Sequence, residues 1–282
     1  MIGPWWIVLG SVAAVIGLAA SLIGIFVPAT YQYETSNWAG QAIGQDIANV
    51  IAFTALLLLA RSASRGSLRA VLCCAGVIAY GIYAYAIYAF TIHFGPLFLA
   101  YVAVLGLSVY ALIGLLHGVN ASAVKAAFRA DAPLRSTAGV VAGIGVLFAL
   151  LWLSEIGSAT LSQSVPASLR VAGIASNPVY VLDLALLLPA AVVGGTLLIQ
   201  RRPWGYVVAP ILLTVLALLS VGIVAGFVVL AARGEIVPRA VGVFLAALAL
   251  CQLGVLLRFV RATRDDTRST VTTGQAAYEL RV

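Results

Sequence analysis

Eight uniformly apolar runs, each long enough to cross a bilayer as a helix, constrain this chain more than any other feature. They fall at about 5–27, 41–60, 70–92, 97–117, 138–155, 179–199, 205–231 and 238–258. A hydrocarbon core of about 30 Å needs about 20 such residues. Composition agrees, with 63% hydrophobic and 9% charged residues, where a soluble domain carries about 25% charged. No soluble fold buries that much apolar surface, so lipid must cover it. Backbone amides in lipid find no water, which leaves helices or a closed barrel. Barrel strands alternate and are half as long. The expectation is therefore an all-α, polytopic membrane bundle of eight helices. The first run has no basic segment before it and no small-residue cleavage site after it, so it reads as a retained span rather than a signal peptide.

The basic residues are unevenly spread. With the N-terminus inside, thirteen of the sixteen Lys and Arg fall in inside segments, and Arg170, Arg233 and Arg239 fall outside. The positive-inside rule then puts both termini in the cytoplasm of a prokaryotic inner membrane. The net charge of +7 is mostly this bias. It is dispersed over short segments, so the lipid bilayer, not nucleic acid, is the expected partner. Trp5, Trp6 and Trp204 near the inner boundary, and Trp38 and Trp152 near the outer one, read as aromatic belts.

The chain also looks duplicated. Asp46-Ile47-Ala48 leads through an apolar run to Arg61 and Ser64-Arg65-Gly66. Asp183-Leu184-Ala185 leads likewise to Arg201-Arg202 and Pro203-Trp204-Gly205, at an offset of 137 residues for the aspartates. Four helices per repeat give both halves the same orientation, the parallel-repeat case. The expected division is a first repeat at 1–118, a basic connector at 119–137, a second repeat at 138–260 and a flexible cytoplasmic tail at 261–282. The connector is either a short interfacial helix or a plain basic loop. Two longer outside loops, about 28–40 and 155–178, are placed to cap the outer helix ends.

Asp46 and Asp183 are the residues to watch. An ionisable group inside a span is costly and usually faces a cavity or a partner. The competing reading makes each a helix-start carboxylate favoured by the helix dipole. Gln45 and Asn49 flank Asp46, and Glu155 stands at the outer end of span five. These five residues form the candidate cavity. Pro189 should kink span six below Asp183. Gly10, Ala14, Gly17, Ser21 and Gly24 form a small-residue seam for close helix approach, and Gly139 with Gly143 and Gly222 with Gly226 repeat the theme. Tyr80, Tyr83, Tyr85 and Tyr88 spread around span three, so packing with hydroxyl bonding is favoured over a ligand cage. Cys73, Cys74 and Cys251 read as small buried packing residues. His93 and His117 lie at opposite ends of adjacent spans and cannot share a metal. No catalytic set, metal motif or phosphate loop is present, so neither a cofactor nor a metal is expected.

Gly95-Pro96-Leu97-Phe98-Leu99-Ala100-Tyr101-Val102, Ser108-Val109-Tyr110-Ala111-Leu112-Ile113, Asn177-Pro178, Asp183, Pro189 and Arg202-Pro203-Trp204-Gly205-Tyr206 together resemble a group of uncharacterised prokaryotic polytopic membrane proteins. The resemblance covers most of spans three, four, six and seven and implies no activity. The leading functional expectation is binding or translocation of a small solute or ion through an outward-facing cavity, with proton coupling through the carboxylates as a variant. The rivals are a non-catalytic membrane sensor or partner protein that uses its outer loops, and, less favoured, a membrane enzyme. Substrate and oligomeric state stay open at this stage.

Overall fold

The computed structural model describes residues 4–264 as an all-α bundle with eight long apolar helices. These are α1 (Pro4–Phe26), α2 (Ser36–Ser64), α3 (Leu68–Thr91), α4 (Phe98–His117), α5 (Leu134–Leu161), α6 (Pro178–Ile199), α7 (Pro203–Ala232) and α8 (Arg239–Arg261). Short helices Ala121–Ala127 and Ala167–Ala172 and a 3-10 turn at Pro28–Tyr31 lie in the connectors. Every expected span is present. Helices α2 and α5 run well beyond their apolar runs, because their ends carry polar residues that hydropathy does not register.

Local chemistry explains the limits of the helices. The Thr35 hydroxyl accepts the Trp38 amide at 3.2 Å to open α2, and Asn177 accepts the Val179 amide at 3.0 Å beside Pro178 to open α6. Such side chains satisfy amides that have no partner within the helix. Helices α2 and α7 close alike. Gly66 and Gly234 have φ of 87° and 81°, and the amides after them, Ser67 and Glu235, reach back to Ser62 and Leu230 at 3.1 and 3.0 Å. This is the left-handed glycine stop.

In each half, consecutive helices are neighbours and the fourth returns to the first; the halves meet where α7 lies along α2 and α3. Helices α3 and α7 form the centre, with 72% and 67% of their apolar stretches buried against 22–44% for the other six. Lipid gives helices no hydrophobic reason to associate, so packing and hydrogen bonds must hold them. The α1 seam is buried as expected: Gly17 faces Phe53, and Gly10 faces Ile78 and Ala111. Gly226 and Gly222 receive Gly44 and Gln45 of α2. Gly139 and Gly143 depart from expectation, since nothing lies within 4 Å of a side chain placed there. On α5 it is Gly145 that packs, against Leu188 and Ala191. Spacing marks a small-residue stripe, but only the bundle decides which side of the helix is covered.

Other expectations are also corrected. Trp5 and Trp204 are exposed and suit a belt, whereas Trp38 is buried and Trp152 half-buried, both inside the bundle. Cys74 is buried and Cys73 half-buried, but Cys251 is exposed on α8. The connector is a helix held on the bundle rather than a plain loop. Its Ala121 and Val124 are buried, and Phe128 packs on Tyr206 and Phe259 with ring centres 5.2 and 4.7 Å away. The Arg129 amide donates to Ala262 and the Arg264 amide to Ala127, at 2.9 and 2.8 Å. The expected tail lies outside the described residues beyond Arg264. At the opposite end the long connectors touch. Thr35 donates to the Ala172 carbonyl at 2.8 Å, and Glu34 accepts from the backbone amide of His93 at 2.7 Å.

Candidate functional site

The aspartates stand where helix geometry and tertiary packing both bear on them. Asp46 is three turns into α2, which begins at Ser36. Asp183 opens a π turn, Asp183–Leu187, in which the Leu188 amide donates to the Asp183 carbonyl. Neither lies in a first turn, so the helix-dipole reading falls. This π turn ends just before Pro189, where the sequence predicts a kink. Proline lacks an N–H and cannot continue the regular ladder, and such widened turns recur at functional sites.

Both carboxylates are buried, and each oxygen accepts a hydrogen bond from an aromatic side chain. Tyr31 donates to Asp46 Oδ2 at 2.6 Å and Tyr88 to Oδ1 at 2.9 Å. Tyr83 donates to Asp183 Oδ1 at 2.8 Å and the Trp152 indole to Oδ2 at 2.7 Å. Burial, then the nearby Asp46, raise the Tyr31 phenol well above its usual range, which keeps it a donor. Among the described residues, neither aspartate has a basic partner within ion-pair distance. One face of the matter was legible in the sequence: the tyrosines of α3 bond through their hydroxyls. Which of them meets an aspartate was not, since Tyr83 and Tyr88 turn to opposite halves of the molecule.

Asn49 belongs to a second buried network. Tyr80 donates to its Oδ1 at 2.8 Å, and its amide donates to Ser21 at 3.1 Å. Gln45 joins it by donating to the Tyr80 hydroxyl. Glu155 accepts from Ser168 at 2.7 Å, and the same hydroxyl lies 2.6 Å from Tyr180. This ties the short helix Ala167–Ala172 to the ends of α5 and α6.

A cavity of about 160 Å³ lies at the junction of the halves, walled by α2, α3, α5, α6, α7 and α8. Of the five expected residues, Asp183 and Gln45 line it. Asp46, Asn49 and Glu155 do not, and Asp46 touches it only through Tyr88, which is part of the wall. The wall is mostly apolar, and among the described residues Asp183 is its one charged member. Two further wall residues escaped sequence reading. Gln252 is 1% exposed, and its Oε1 accepts from Ser220 at 3.2 Å while its amide nitrogen has no partner among the described residues. Trp38 is buried with its indole N–H unpartnered. A lone Gln in an otherwise apolar run was the available signal for Gln252. Among the described residues, no three His, Cys, Asp or Glu side chains converge as metal ligands.

Comparison of the chain with protein-family models, with curated proteins and with solved structures found no match. The site must therefore be read from its own chemistry.

Proposed function

We propose that this integral membrane protein binds a small solute in the cavity between its halves and carries it across the membrane. The observation that carries this reading is the placement of Asp183. A carboxylate without a basic partner, in an apolar wall at a π turn, is a costly feature that packing alone does not require. Ligand sites are commonly apolar with a few convergent polar groups. The neighbour order of the helices, alike in both halves, also suits two repeats rocking about a central site. In this reading both termini are cytoplasmic and the cavity lies toward the outer face.

Orientation is checked by fusing alkaline phosphatase after Asn120 and after Ser164. The expected activities are low and high respectively, and the reverse order overturns the orientation. Translocation is checked at Ser220, deep in the cavity wall. In a background where Cys73, Cys74 and Cys251 are replaced by alanine, Ser220→Cys should react with a membrane-impermeant trimethylammonium methanethiosulfonate added from either side. Reaction from one side alone would favour a sensor that only binds. No reaction from either side would show a sealed structural void.

A further inference from the structure

The chemistry of the cavity wall narrows the solute, an inference that rests on the binding reading above. Among the described residues, the wall holds Asp183 but no Lys, Arg or His. Around it stand six aromatic side chains: Trp38, Tyr83, Tyr88, Phe148, Trp152 and Phe227. Aromatic faces carry negative quadrupole density and attract cations, most strongly when water is excluded. An anion entering here would meet a carboxylate and aromatic rings with no compensating charge. A neutral apolar molecule would leave the carboxylate balanced only by two neutral donors, Tyr83 and Trp152. A cation satisfies both features at once.

Two buried donors beside the cavity have no partner among the described residues. Buried polar atoms in native proteins are almost always paired, yet the Gln252 amide nitrogen and the Trp38 indole N–H are not. Turning the Gln252 amide over does not remove the problem, because its other polar atom is then the one left without a partner. Both residues line the cavity, but the two unpartnered atoms are themselves closed off from it, so they place no demand on the occupant.

Size sets the last limit. A cavity of about 150 Å³ holds one benzene ring, and this one is about 160 Å³. We propose that the cavity recognises a small monovalent organic cation. It would have one ring or a short branched chain, with an ammonium group placed at Asp183. Asp183 would act as the counter-charge and the aromatic walls as the selectivity element against anions.

Phenethylamine, phenethyl alcohol and phenylacetate serve as matched probes, titrated by calorimetry into the purified full-length protein in detergent. Phenethylamine is expected to bind at least about tenfold tighter than the alcohol, since charge-assisted contacts are the stronger ones; phenylacetate is expected not to bind. Asp183→Asn should remove the preference for the amine and leave the alcohol unaffected. The asparagine can be held with its oxygen toward Trp152 and its amide toward the Tyr83 hydroxyl, which can accept, so the fold should persist. An unchanged melting temperature checks this. Equal binding of amine and alcohol, or an amine preference that survives Asp183→Asn, overturns the cation assignment but leaves the binding cavity standing. No binding of any probe at millimolar concentration overturns both.

Discussion

Gly44→Leu should abolish folded protein, while Gly139→Leu should be tolerated. A side chain at Gly44 would run into the α7 backbone at Gly226 and come within 2.9 Å of the Ala225 carbonyl carbon. A side-chain obstacle could rotate aside; a backbone can yield only if the helix moves. Helices α2 and α7 form much of the contact between the two halves, so displacing one opens the cavity wall with it. Overpacking usually costs about 1–3 kcal/mol, and this case should reach about 3 kcal/mol or more. That is a large share of the total stability of about 5–15 kcal/mol. A side chain at Gly139 meets nothing within 4 Å, and the substitution should stay within about 0.5 kcal/mol. Yield of monodisperse protein and melting temperature in detergent check the pair. Equal values for both variants would show that the halves do not meet at this crossing.

Asp46→Leu should lower stability by about 3 kcal/mol, whereas Asp46→Asn should cost much less. Leucine removes the acceptor for Tyr31 and one acceptor for Tyr88. Tyr88 keeps the Ala42 carbonyl at 3.0 Å; Tyr31 keeps only the neighbouring hydroxyls of Tyr88 and Tyr101. Taking the strongest acceptor from a buried hydroxyl costs about 1–3 kcal/mol, because bonds to a charged group are worth more than neutral ones. Space adds to the cost, because Asp46 and Tyr31 fill the gap left by Gly24 of α1. Asparagine preserves the shape: its oxygen accepts from one tyrosine, and its amide can donate to the oxygen of the other. Thermal unfolding should rank wild type first, then asparagine, then leucine. A leucine variant as stable as wild type would show that Tyr31 and Tyr88 bond elsewhere. Asp46 is thus assigned to holding the first half together, and Asp183 to the cavity. The two carboxylates differ in this although they are held by similar donors.

The candidate site was only partly visible before folding. Asp46 and Asp183 stood out because charges are rare in apolar runs, and burial of both follows from the cost of leaving them in lipid. Trp38 and Trp152 were read as belt residues because Trp near a span end is usually there. Their inward turn depends on which way α2 and α5 are rotated, and no single helix records that. Gln252 and Ser220 form a pair across two helices, so neither residue alone announced the bond. The Gly44–Gly226 contact was likewise invisible from α2, where Gly44 is one small residue among several.

By itself the sequence determined the helical class, the eight spans and the two aspartates that demand an explanation. These follow from transfer energies and backbone hydrogen bonding, which act on each segment separately. Only the tertiary structure decided that α3 and α7 lie at the centre, that Tyr83 and Tyr88 serve different carboxylates, and that Asp183 rather than Asp46 faces the cavity. In lipid every apolar face is equally content against lipid tails or another helix. Rotation and neighbours are therefore set by small residues meeting backbones and by polar groups finding partners, and those are properties of pairs of helices that no single run of sequence contains.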